Sequence, residues 1–248
     1  MSSELTYPGG KVRLYVEAAL GEGVRLAPGE GPSHYLLHVM RAKAGERVRL
    51  FNGRDGEWLA EIAEVSKRSC VLVCERRLAP QADVPDLWLV FAPVKKTPAD
   101  YVAQKATELG VSVLQPVLTR RTIVARVNLE RLAANAVEAA EQSGRLSVPE
   151  VRAPLTFDKL LAGWPRQRRL LFCDEGGAPP IAEALRAAPD GPWGVLTGPE
   201  GGFDPAEREA LRQCDFVTPV SLGARILRAD TAALAALAVW QAVRGDWR

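Results

Sequence analysis

Two stretches decide how this chain is read: Leu196-Thr197-Gly198-Pro199-Glu200-Gly201-Gly202-Phe203, and Ser221-Leu222-Gly223-Ala224-Arg225-Ile226-Leu227-Arg228-Ala229-Asp230-Thr231-Ala232. Each follows a short apolar run with the character of a strand, and each leads into a helical pattern. Glycine at such turns lets backbone approach a ligand with no Cβ in the way. Two glycine loops of this kind, close in sequence, predict a ligand cradle at strand ends.

Working outward, strands and helices alternate from Leu87 to the C-terminus. Leu87 to Phe91 is a continuous apolar run, as a strand buried on both faces requires. Thr97-Pro98-Ala99-Asp100 opens a helix that should stop at Gly110, and Val111 to Leu118 is the next strand. Asn128 should cap an amphipathic helix ending at Gly144. Leu170 to Cys173, Trp193 to Thr197 and Phe216 to Val220 supply further strands, and Pro180 to Ala188 a helix. Asp204-Pro205-Ala206-Glu207 has the spacing of a capping box, and a last helix covers about Asp230 to Arg244. This alternation predicts a parallel sheet covered on both faces, with ligands bound outside the carboxyl ends of its strands.

Upstream, residues 11 to 78 read as short β segments: Lys11 to Val16, Arg47 to Phe51, Glu57 to Val65 and Cys70 to Cys74. Asn52-Gly53 and Asp55-Gly56 provide turn chemistry, and Ser33 is placed as the N-cap of a helix reaching Arg41. The expectation is a small β-barrel domain over 1–78, a linker over 79–86 rich in proline and aspartate, and an α/β domain over 87–248.

Composition narrows the class. The chain has 248 residues, 47% hydrophobic and 25% charged, and a net charge of +2, which suits a globular protein. No apolar run is long enough for a membrane span, and the N-terminus lacks the pattern of a signal peptide. Cys70, Cys74, Cys173 and Cys214 are few and scattered, so a reducing cytoplasm is expected. His34 and His38 share a helix face without a third ligand, so no metal site is expected. Between Lys95 and Arg131, seven basic residues stand against three acidic ones, which reads either as solvated surface or as a footprint for RNA. Neither a G-x-G-x-x-G nor a P-loop pattern occurs, and there is no G-x-S-x-G elbow, which disfavours dehydrogenase, nucleotide-hydrolase and serine-hydrolase chemistry.

The GPEGGF and SLGARILRADTA stretches resemble the RsmE-type 16S rRNA uridine-N3 methyltransferases of the SPOUT superfamily. The similarity extends to Asp100-Tyr101-Val102-Ala103-Gln104-Lys105-Ala106-Thr107-Glu108-Leu109-Gly110, to Glu141-Gln142-Ser143-Gly144-Arg145 with Val148-Pro149, and to His38-Val39-Met40-Arg41 with Phe51-Asn52-Gly53. It implies an N-terminal PUA-like β-barrel, a C-terminal α/β domain with a trefoil knot, and a homodimer. The implied activity is methyl transfer from S-adenosylmethionine to N3 of a uridine in the RNA of the small ribosomal subunit.

On this resemblance Leu171, Leu196, Gly198, Pro199, Gly201, Gly202, Leu222, Gly223, Ile226 and Leu227 would surround the cofactor, with the loop after Cys173 as a third wall. Because the cofactor carries its own activated methyl, the protein must bind, orient and manage charge. Arg228 is the candidate for stabilising charge on the base, and Glu200 and Asp230 are the candidate proton acceptors. Two structural alternatives stay open: an ion pair for Arg228, and a helix N-cap for Asp230. The family carries glutamate where this chain has Asp230, so the side chain here is a methylene shorter. His38, Arg41, Lys95, Lys105, Arg120, Arg121 and Arg145 would meet RNA or a second subunit. Two other readings remain: a SPOUT enzyme acting on a ribose 2′-hydroxyl or a tRNA base, and a non-catalytic RNA-binding assembly factor.

Overall fold

The computed structural model describes residues 12–94, 99–124, 126–174 and 176–247. It divides into two compact units, Met1–Asp83 with Ala140–Ser147, and Val84–Ala139 with Val148–Arg248.

In the first unit, strands β1 (Arg13–Tyr15), β2 (Arg25–Leu26), β3 (Arg47–Phe51), β4 (Glu57–Val65) and β5 (Cys70–Ala79) form one sheet in the order β1-β3-β4-β5-β2. Only the β1–β3 pair is parallel. Alternation sends Leu50, Ala60, Ile62, Leu72, Cys70 and Cys74 into a core shared with Leu14 and Leu36. Three register shifts between β4 and β5 bend the ladder, as bulges do. The turn after β3 is built by Asn52, whose side-chain oxygen accepts the N–H groups of Arg54 and Asp55 at 3.0 and 2.9 Å. Gly56 has a φ of 84°, and a Cβ there would stand 2.2 Å from the Ala79 carbonyl oxygen, so only glycine fits.

Two expectations are corrected here. The helix begins earlier, as α1 (Glu30–His34) with Gly29 as N-cap, and runs on as a π-helical turn over Tyr35–Val39. Ser33 is not a cap. It is buried, and its hydroxyl lies 3.9 Å from the Cys70 sulfur. The segment expected to be linker from residue 79 still belongs to β5 at its first position, Ala79.

In the second unit β6 (Leu87–Phe91), β7 (Val113–Leu118), β8 (Glu150–Val151), β9 (Leu155–Thr156), β10 (Arg169–Cys173), β11 (Trp193–Thr197) and β12 (Val217–Val220) form a parallel sheet. Its order is β12-β10-β11-β6-β7-β8, with β9 also paired to β7. The helices are α2 (Ala99–Glu108), α3 (Leu129–Ser143), α4 (Phe157–Ala162), α5 (Ile181–Ala187), α6 (Pro205–Arg212) and α7 (Ala229–Val243). Helix α3 is capped by Asn128, whose side chain accepts the Arg131 N–H at 3.0 Å; its last residues group with the first unit.

The two sheet faces have separate cores. Leu87, Leu89 and Phe91 of β6 pack with Val102, Ala106 and Leu237, whereas Val90 packs with Phe157, Phe203 and Leu211. This period-two division within one apolar run is the signature of a strand covered on both sides. Among the described residues, no helix is long and apolar enough to cross a membrane.

Candidate functional site

Strands β12, β10 and β11 are neighbours, so the loops leaving their carboxyl ends converge. There they enclose a cavity of about 600 Å³. Cys173 and Asp174 contribute from β10, Thr197 to Glu200 with Gly202 and Phe203 from β11, and Ser221 to Ala229 from β12. Ile123, Arg208 and Ala232 complete the lining.

The loop after β11 is a tight turn in which the Gly202 N–H donates to the Pro199 carbonyl at 2.9 Å. Gly202 has a φ of 66°, the left-handed region where glycine costs least. A Cβ on Gly198 would stand 2.8 Å from the Phe203 ring, so this glycine lets the aromatic plug fold beneath the loop. The loop after β12 turns at Gly223, with a φ of 104° and its N–H donating to the Ser221 hydroxyl at 3.2 Å. Ser221 is stitched to the chain before α5, its N–H donating to the Pro179 carbonyl at 2.8 Å.

The third wall has a buried charge at its root. The Asp174 side chain has no solvent exposure; Arg212 approaches it at 2.6 Å, Arg208 at 3.4 Å, and the Gly176 N–H donates to it at 2.9 Å. A carboxylate in such a place is tolerated because it is paired and hydrogen-bonded. Beside it, burial pushes the Cys173 thiol up to about 12, so it stays protonated and acts as a small apolar group at the cavity wall.

Of the residues expected around a cofactor, Gly198, Pro199, Gly202, Leu222, Gly223, Ile226 and Leu227 come together here. Leu171 and Leu196 do not reach the cavity: both are fully buried, on opposite faces of the sheet. The strand-end residues Cys173 and Thr197 line it instead. Gly201 also lies outside the lining, with its carbonyl accepting from Arg121 at 2.9 Å.

Arg228 and Glu200 line the cavity. Arg228 is the N-cap residue of α7, is exposed, and has no ion pair among the described residues. Asp230 is not the N-cap. It sits in the first turn, accepts the Thr231 N–H at 2.9 Å, and lines a small separate cavity of about 10 Å³ with Thr197 and Phe91.

The basic residues are dispersed. His38 and Arg41 are exposed in the first unit, with the His34 and His38 rings 4.8 Å apart. Lys105 pairs with Glu108 at 2.7 Å, and Arg120 with Asp204 at 3.1 Å. Arg145 donates to the Ser147 hydroxyl at 3.2 Å. Lys95 lies outside the described residues, as does the expected cap at Thr97-Pro98. The loop after Cys173, expected as a third wall, supplies Asp174. Sequence reasoning missed Ile123 and Arg208, which come from a loop and a helix with no glycine signature.

The sequence pattern of the RNA methyltransferase domain family matches residues 81–241, and that of the RNA methyltransferase PUA domain matches residues 33–74. A ribosomal RNA small subunit methyltransferase E of Rickettsia conorii is 31% identical over 229 residues, covering 91% of this chain and 93% of that protein. Its counterpart in Synechocystis is 35% identical over 211 residues, covering 83% and 69%. Among solved structures, a ribosomal RNA small subunit methyltransferase E of Neisseria gonorrhoeae bound to S-adenosyl methionine superposes with a TM-score of 0.88. It is 28% identical and covers 96% of this chain and 99% of its own.

Proposed function

We propose that this chain, which belongs to the RNA methyltransferase family and joins a PUA-type unit to a SPOUT-type α/β unit, methylates N3 of a uridine in the RNA of the small ribosomal subunit. The observation that carries this reading is the cavity of about 600 Å³ at the strand ends, walled by the glycine loops that the resemblance assigns to S-adenosylmethionine.

The residues present fit that cofactor. The volume lies within the range of about 300–1,000 Å³ typical of small-molecule and cofactor sites. Gly198, Gly202 and Gly223 keep side chains out of the loop backbone, and Leu222 and Leu227 provide apolar surface for a purine ring. When bound, S-adenosylmethionine supplies an electrophilic methyl on a sulfonium that leaves as a neutral thioether.

The chain's own residues then manage the uracil. Its N3 proton must depart, and negative charge develops over N3 and the flanking carbonyl oxygens. Arg228, at the cavity, stabilises that charge. Glu200 is the carboxylate on the same wall and accepts the proton; Asp230, lining the separate small cavity, supports the start of α7. The front domain, carried through β5 to Ala79, and the α/β domain over 87–248 divide RNA holding from transfer. His38, Arg41, Lys105, Arg120, Arg121 and Arg145 supply cationic contacts to RNA. The working form is a homodimer in the cytoplasm, where ribosomal subunits mature.

Labelled S-adenosylmethionine with small ribosomal subunits or naked RNA, followed by mass spectrometry of nucleosides, tests the proposal. The expected product is 3-methyluridine. Appearance of 2′-O-methyl nucleosides instead would replace the target, and absence of any methylated nucleoside would favour an assembly factor.

A further inference from the structure

Between the basic segment after β7 and the glycine loop after β11 runs a set of hydrogen bonds that the transfer chemistry leaves unexplained. Glu207, in the first turn of α6, is only 4% exposed. Its Oε2 accepts the Asp204 N–H at 3.1 Å, the ordinary half of a capping box. Its Oε1 accepts the Arg120 N–H at 2.8 Å, across 87 residues of sequence, and capping does not require that bond.

Further contacts follow the same line. The Arg120 guanidinium reaches Asp204 at 3.1 Å, and that of Arg121 donates to the Gly201 carbonyl at 2.9 Å, its stem packed over Gly201. Thr119 to Thr122 is itself a closed turn: the Thr119 N–H donates to the Thr122 hydroxyl at 3.0 Å, and the Thr122 N–H to the Thr119 carbonyl at 3.1 Å. This stiff turn delivers Ile123, 71% exposed, to the cavity wall.

Resting on the methyltransferase reading above, we propose that Glu207 is a positioning residue that fixes Thr119–Ile123 as the substrate-facing wall of the cofactor cavity, coupling cofactor binding to the grip on RNA. A ligand that orders the Gly198–Gly202 turn also orders the strap, because Gly201 and Asp204 are bonded to it. Arg120 and Arg121 are then held facing the RNA strand beside the cavity. By linkage, RNA raises cofactor affinity by the same factor as cofactor raises RNA affinity.

The test uses the full chain with S-adenosylhomocysteine, which occupies the cavity without turnover. In the unsubstituted protein, hydrogen exchange slows both in 198–203 and in 119–123, and RNA affinity rises about tenfold, within the usual range of such couplings. In Glu207→Gln one of the two N–H groups faces an amide donor instead of a carboxylate oxygen. Protection of 198–203 is retained, that of 119–123 is lost, and KM for RNA rises about tenfold while kcat changes less than twofold, a split that loss of folded protein does not produce. Arg121→Ala, at an exposed position, provides the second variant: the RNA affinity ratio with and without S-adenosylhomocysteine falls toward one. The proposal is overturned if S-adenosylhomocysteine slows exchange in 198–203 alone, which leaves the methyltransferase reading intact. No slowing anywhere would overturn both.

Discussion

Two arginines show how differently the two units use the same side chain. Arg13 in the first unit is spent entirely on protein. It donates to the carbonyls of Ala140 and Arg145 at 2.8 Å and of Glu141 and Gly144 at 3.3 Å, pairs with Glu57, and stacks over the Phe51 ring at 4.2 Å. Those carbonyls are the end of α3, where a helix presents negative partial charge and unsatisfied acceptors. Arg228 in the second unit also stands at a helix end, but at the positive one, exposed on a cavity and without an ion pair among the described residues. Its position is electrostatically unfavourable for folding. The charge-stabilising role proposed for Arg228 predicts that this cation serves the cavity rather than the fold.

Substitutions can break this contrast. The largest effect is expected for Arg13→Ala, which leaves Glu57 with Arg49 at 3.7 Å and takes the donor from the α3 carbonyls in a buried setting; loss of one partner from such a pair costs about 3–5 kcal/mol, read from urea unfolding. A change below about 1 kcal/mol, the worth of an exposed ion pair, would make Arg13 ordinary surface. Arg228→Ala should do the reverse, lowering kcat about a hundredfold, the scale for losing one charge-stabilising donor, while stability moves by no more than about 0.5 kcal/mol. Equal loss of stability in both variants would erase the distinction. Gly202→Val should abolish cofactor binding in a calorimetric titration by forcing a branched side chain to a φ of 66°, and leave RNA affinity in the absence of cofactor unchanged.

What the sequence made legible follows from what repeats locally. Leu87 to Phe91 declared a two-faced strand by apolar continuity, and Asp204 to Glu207 declared a capping box by spacing; both appear as read. The glycine loops declared a cavity because only backbone without Cβ can turn there. Long-range contacts carry no such mark. Nothing near Ile123 signals that it lines the same cavity as the loop after β11, and nothing in GluGlnSerGlyArg at 141–145 signals that its carbonyls serve Arg13 while the Glu141 side chain accepts the Tyr15 N–H at 3.0 Å. The π-helical turn at Tyr35–Val39 was hidden for another reason: a single turn of five residues is too short for its apolar spacing to show a period of its own. Threading of a chain through itself is not periodic at all, so the expectation of a knot rests on the resemblance alone.

The smallest effect expected is also the one that separates the units by pH. Asp55 accepts the Leu20 N–H at 2.9 Å and the Asn52 amide at 2.6 Å, and these bonds, the backbone one first, hold its carboxyl below the usual carboxylate range. A folded value below the unfolded one means that the unfolded chain binds the proton more tightly. The stabilisation is therefore present above the unfolded value of about 3.9 and is lost as pH falls through the lower folded value. Asp55→Asn should lower the midpoint of urea unfolding at pH 7 and converge with the unsubstituted protein in strong acid. The cavity should be indifferent to this change, because Asp55 belongs to the first unit and the cavity to the second. S-adenosylhomocysteine affinity measured at pH 7 in the same variant should stay within about twofold of the unsubstituted protein. A parallel loss of cofactor affinity would show that the turn at Asn52–Gly56 does more than fold the first unit.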